Sequence, residues 1–142
     1  MKQLLIVDDD QSLCETVAAA MGRRGFVVTW RTSAVAALEV LDAQDFDVVM
    51  TDLHMDGMDG LAFCERALAR RPDVPVVVLT AFGNRESALA AIRAGAYDFM
   101  IKPFDVEMLR MSLARAVQHH ALLEEVKRLR GELRAAQGSE EN

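Results

Sequence analysis

Short apolar runs closed by acidic or turn-forming residues recur along the chain, and between them apolar residues return every three or four positions. Brief runs rich in β-branched residues predict buried strands, and the three-and-four spacing predicts one apolar face of a helix. Leu4 to Val7 is the first such strand, ending at once in Asp8-Asp9-Asp10. Leu13, Val17, Ala20 and Met21 then mark a helix, with Asp10 or Ser12 placed to cap it and Gly25 to stop it. A second strand starts at Phe26, and Ser33 opens a helix carrying Val35, Leu38 and Leu41. The third strand, Val48-Val49-Met50, empties through Thr51-Asp52 into a loop with Gly57 and Gly60, after which Asp59 caps a helix bearing Leu61, Cys64 and Leu68. Pro72 and Pro75 bracket the entry to the fourth and most apolar strand, VPVVVLTA. Asn84 opens a helix through Leu89 and Ile92 that closes at Gly95. DFMIKPF holds a short fifth strand, and a long helix begins at Asp105 or Val106.

Strands that alternate with helices and are apolar on both faces specify an α/β fold, a doubly wound parallel sheet covered on each side. The last helix is longer than such a sheet needs. From Val106 to about Gln137 only Gly131 interrupts it, at about 1 kcal/mol relative to alanine. Roughly thirty helical residues span about 45 Å, about twice what one sheet of this size covers. Leu109, Leu113 and Val117 can face the sheet, whereas Leu122, Val126, Leu129, Leu133 and Ala136 form a seam at alternating steps of four and three. The expected division is therefore a domain over 1–121 and a linker helix with a polar tail over 122–142. The seam predicts a homodimer through the C-terminal helix.

Composition narrows the class. A chain of 142 residues makes one domain with a little over. No apolar run approaches a membrane span, and a strand pattern starting within the first few residues leaves no room for a signal peptide, so a cytoplasmic protein is expected. Cys14 and Cys64 lack metal spacing and read as reduced core residues. A formal net charge of -6 without a basic patch in the first hundred residues argues against direct binding of nucleic acid.

The chemistry gathers at the strand ends. Asp8 and Asp9 follow the first strand, Asp52 the third, Thr80 the fourth and Lys102 the fifth. In a parallel sheet these ends share one edge, where open α/β sheets place their ligands. Three carboxylates within about 5 Å repel one another by about 3 kcal/mol per pair at an effective dielectric of 20, so they call for a cation. An all-oxygen cluster suits Mg²⁺, which keeps several waters in an octahedral shell. Lys102 supplies a movable positive charge and Thr80 a hydroxyl. Together they make a site for an added anionic group on a carboxylate that can act as a nucleophile toward phosphorus. Asp10 reads as a helix cap rather than a ligand.

The segments LLIVDDD, TDLHMDGMDG, VVVLTA and AGAYDFMIKPF together resemble bacterial response-regulator receiver domains, over about residues 2 to 120. The resemblance implies a flavodoxin-like strand order of 2-1-3-4-5. It also implies that Asp52 accepts a phosphoryl group from the phosphohistidine of a sensor kinase, with Mg²⁺ held by Asp8, Asp9, Asp52 and the backbone carbonyl of His54. Asp9 is expected as a direct ligand, and the His54 ring is expected to point outward. Thr80 corresponds to the switch hydroxyl that moves toward the phosphoryl group, Lys102 to the phosphoryl group's salt-bridge partner and Phe99 to the rotating aromatic position. The Lys102–Pro103 bond is expected to be cis. Asp56 stands where the family usually has proline, which bears on metal affinity and on the lifetime of the phosphorylated state. His54 and Phe82 occupy positions that tune that lifetime.

LTAFGNRESALAAIRAGAYDFMIKPFD with the long helix looks most like the NtrC-type activators of sigma-54 RNA polymerase, in which a linker helix leads to ATPase and DNA-binding domains. No phosphate-binding P-loop or helix-turn-helix domain follows here, so an excised receiver or truncated product is expected. Such a chain is not an enzyme beyond its own phosphorylation and dephosphorylation. The alternative within signalling is a stand-alone phosphorelay carrier. An aspartyl-phosphate phosphatase would need a second Asp where His54 stands. Flavin binding would place a Ser/Thr-rich loop where three acids follow the first strand.

Overall fold

The computed structural model describes residues 1–55, 57–81 and 84–140. Asp56 and Phe82, both singled out above, lie outside the described residues.

A five-stranded parallel sheet carries β1 (Lys2–Val7), β2 (Phe26–Arg31), β3 (Val48–Asp52), β4 (Val76–Ala81) and β5 (Asp98–Lys102) in the order β2-β1-β3-β4-β5. Between them run α1 (Gln11–Gly22), α2 (Ala34–Ala43), α3 (Gly60–Arg70) and α4 (Arg85–Arg93), and α5 (Val106–Glu140) follows β5. Helices on both faces split the core in two. Leu5, Val7, Val49, Val76 and Val78 pack with Leu41 and Phe63 on one side. Leu4, Ile6, Val48, Met50, Val77 and Leu79 pack with Met21, Leu109 and Leu113 on the other. Every residue of β3 is buried, as expected of a strand covered on both faces. The edge strands β2 and β5 depart from that pattern, with Phe99 and Ile101 of β5 left 38% and 41% exposed.

Helix starts follow the predicted chemistry. Asp10, Ser33 and Asp59 each accept a backbone N–H three residues on, from Leu13, Ala36 and Ala62. Asp105 accepts from Glu107 and Met108 at the start of α5. Asn84 differs. It occupies the cap position of α4 yet makes no capping bond, and its side-chain nitrogen lies 3.2 Å from His54 Nε2. Gly25, at φ 95°, adopts the left-handed turn after α1 that glycine favours, although the helix itself ends at Gly22. Among the described residues no helix is long and apolar enough to cross a membrane.

Candidate functional site

The parallel register brings four strand ends to one edge. Asp8 follows β1 directly, Asp52 closes β3, and Lys102 closes β5. Leu79 is in register with Asp52, which sets Thr80 one residue further along β4. The β3 end is held by a close approach of backbone. Gly60 N–H bonds the Leu53 carbonyl at 3.0 Å, and a Cβ on Gly60 would overlap the Asp52 carbonyl oxygen and Leu53 Cα. Only glycine fits there. The sequence marked Gly60 as a loop glycine and carried no signal of this contact.

Three carboxylates meet at the edge. Asp8 and Asp52 are buried and Asp9 is exposed, and one oxygen from each lies within 4.8 Å of the others. Lys102 Nζ bridges two of them, at 3.1 Å from Asp8 Oδ2 and 3.2 Å from Asp52 Oδ2. The remaining oxygens are met by the backbone. Asp10 N–H donates to Asp8 Oδ1 at 2.9 Å, and His54 N–H donates to Asp52 Oδ1 at 3.1 Å. Burial raises the Asp8 pKa against the pull of the Asp10 N–H and the Lys102 charge, and the neighbouring Asp52 charge raises it further. For Lys102, burial alone would lower the pKa, but the charges of Asp8 and Asp52 together outweigh it and the net shift is upward. Cys14, whose Sγ is 3.4 Å from the Asp8 carbonyl oxygen, has its thiol pushed up to about 11 by burial and by the Asp8 charge, so it stays protonated and inert.

Thr80 Oγ1 is buried and has no hydrogen-bond partner among the described residues. It lies on a small cleft of about 220 Å³ shared with Ala81, Asn84, Leu89, Phe99 and Ile101. The Lys102–Pro103 bond is cis, as expected. His54 is exposed, and its ring meets Asn84 across the loops that follow β3 and β4. Residues thirty positions apart gave no sequence signal of that bond.

The oxygen set fits Mg²⁺. At about 2.1 Å from an octahedral Mg²⁺, adjacent oxygens stand about 3 Å apart and opposite ones about 4.2 Å, so the Asp8, Asp9 and Asp52 oxygens, within 4.8 Å of one another, would draw together to share one ion. Among the described residues this is the only such group of acidic, histidine or cysteine ligands.

Residues 4–114 match the family described as response regulator receiver domain. The chain belongs to that family. The receiver is 38% identical over 138 residues to the C4-dicarboxylate transport transcriptional regulatory protein DctD of Rhizobium meliloti, covering 97% of this chain and 29% of the relative. To the DNA-binding transcriptional regulator NtrC of Escherichia coli it is 34% identical over 115 residues, covering 81% of this chain and 24% of that protein. NtrX from Brucella abortus superposes with a TM-score of 0.85 at 33% identity, over 90% of this chain and 29% of that one. The receiver is thus of the NtrC type and spans under a third of each of these relatives.

Proposed function

We propose that the receiver accepts a phosphoryl group on Asp52 from the phosphohistidine of a sensor histidine kinase and passes the change to a transcription-activating output. The observation that carries this is the convergence of Asp8, Asp9, Asp52 and Lys102 at one sheet edge beside a buried hydroxyl with no partner among the described residues. An Asp52 carboxylate oxygen forms a bond to phosphorus as the bond from phosphorus to the donor's imidazole nitrogen breaks, and that nitrogen keeps the electron pair. Asp8, Asp9, Asp52 and the His54 carbonyl would hold Mg²⁺, which neutralises phosphoryl charge when bound. Lys102, already within 3.2 Å of Asp52, follows the new charge. Thr80 gains the acceptor it lacks by donating to a phosphoryl oxygen, and Phe99 repacks into the cleft this vacates. The β5 and α4 surfaces change with it, which couples the charge to assembly.

The receiver body over 1–121 and the linker helix over 122–142 divide this work. Leu122, Leu129 and Leu133 are 61%, 50% and 60% exposed on α5, an apolar stripe suited to burial in a parallel homodimer. A helix that carries such a seam past the body favours a regulator with attached ATPase and DNA-binding domains, acting in the cytoplasm, over a carrier that acts alone.

Incubation with acetyl phosphate and Mg²⁺ tests the chemistry: the intact mass should rise by one phosphoryl group per chain, and Asp52→Asn should fold normally and gain nothing. Normal labelling of that variant removes the assignment. Sedimentation tests the assembly: the intact chain should self-associate, and a chain ending at Ala121 should stay monomeric. An intact chain that is monomeric at high micromolar concentration, with and without a phosphoryl mimic, reduces the tail to a tether.

A further inference from the structure

The apolar cover of α5 ends at Val117, yet the helix stays tied to the body for nearly three more turns. His120 Nδ1 donates to the Asp73 carbonyl at 2.9 Å, and its Nε2 lies 3.7 Å from Asp47 Oδ1. Lys127 Nζ pairs with the Asp73 carboxylate at 2.7 Å. The preceding His119 ring stacks on Tyr97 with centroids 5.0 Å apart. Asp73 sits in the connection between α3 and β4, and Asp47 accepts the Gln3 N–H at 2.8 Å just before β3 begins. All of these contacts lie at the edge where the strands start, at the opposite end of the sheet from Asp52.

Helical geometry gives them a consequence. At about 100° per residue, His120, Leu123, Glu124 and Lys127 fall within an arc of about 100°. Leu122, Val126, Leu129, Leu133 and Ala136 fall within an arc of about 80° centred about 150° away. The polar contacts therefore turn the seam away from the body, with Leu122, Leu129 and Leu133 exposed and Val126 half-buried.

We propose that Asp47, Asp73, His120 and Lys127 form a clamp at the strand-start edge that fixes the rotational phase of α5, so that the body dictates how the seam is presented to a second copy of the chain. The clamp itself stands on the contacts above, and its role rests on the self-association proposed for the seam. The clamp carries a charge pair at an exposed lysine, so it weakens as salt rises.

Two measurements decide it. The first uses Leu129→Asp as background, which breaks the seam without touching the clamp face. Adding His120→Ala with Lys127→Ala should speed amide exchange over residues 118–127 by about threefold to tenfold, with circular dichroism and acetyl phosphate labelling unchanged. Alanine favours helix, so its intrinsic effect runs the other way. Unchanged exchange overturns the clamp. The second places a spin label at Glu39→Cys on α2; Cys14 and Cys64 are buried, with thiols at about 11, and escape labelling. Two labelled copies should give one narrow distance distribution, broadened at least about twofold when the clamp residues are removed, because the receivers then swing about the helix. An equally narrow distribution in both overturns the phase-setting role. No signal between copies in the intact chain overturns the self-association and that role together, and the exchange result still decides the clamp.

Discussion

Replacing Thr80 with valine should make the unphosphorylated receiver more stable, an unusual direction for a change in a buried strand. The hydroxyl is 1% exposed as a residue and has no partner among the described residues, so it carries a desolvation cost that nothing offsets. A buried, unpaired hydroxyl costs about 1–3 kcal/mol. Thr80→Val exchanges that group for a methyl of similar shape, β-branched as a strand prefers, beside a cleft of about 220 Å³ that relieves any crowding. The expected gain is about 1–2 kcal/mol, which for a chain of this length raises the melting temperature by about 3–8 °C. Urea unfolding without metal is the assay, with the midpoint rising and the slope unchanged. The same variant should still take phosphate from acetyl phosphate, since the nucleophile is intact. It should lose the amide shift changes that the proposed switch predicts for α4 and β5 of the phosphorylated parent. A midpoint that falls by a similar amount refutes the reasoning, because it means the hydroxyl is satisfied in solution and stabilises the resting state.

Other expectations follow from the same edge. Asp9→Ala removes the exposed member of the acidic cluster, so a calorimetric Mg²⁺ titration should lose its binding heat, and an unaltered isotherm contradicts the ligand set. The Asp8 pKa is raised above its usual 3.8, so the folded chain pays for the charged form at neutral pH and recovers that stability as pH falls through the folded value toward 3.8. Metal-free Asp8→Asn should therefore gain most over the parent near pH 7 and progressively less toward pH 4, by urea midpoints; a gain independent of pH rules this out. Gly60→Ala would force backbone of β3 aside, and should destabilise by at least about 2 kcal/mol and slow labelling together. A stable Gly60→Ala variant with normal labelling shows that the close approach is not required.

The fold was legible because its signals are local. Asp10, Ser33 and Asp59 announced helix starts through a side chain that bonds an N–H three residues on. The buried runs of β1, β3 and β4 announced strands covered on both faces. The acids, hydroxyl and lysine were legible as a group because a parallel sheet sends all strand ends to one edge. What escaped depends on separation in sequence or on spacing finer than residue type. Asn84 has the composition of a cap, but it meets the tertiary partner His54 and makes no capping bond. Gly60 looked like turn chemistry, and its contact with the β3 backbone appears only once α3 is packed. The exposure of Phe99 and Ile101 follows from β5 being an edge strand, which the apolar pattern does not encode. The ties from His120 and Lys127 to Asp47 and Asp73 join residues far apart in the chain, where charge patterning along α5 alone reads as a solvated face.

Borohydride reduction of the phosphorylated chain, followed by peptide sequencing, tests the central claim most directly, because an acyl phosphate is reduced where it forms. Reduction should convert the side chain at Asp52, leave Asp8 and Asp9 intact, and find no target in Asp52→Asn. Conversion at Asp8 or Asp9, or at any residue once Asp52 is replaced, contradicts Asp52 as the phosphoacceptor.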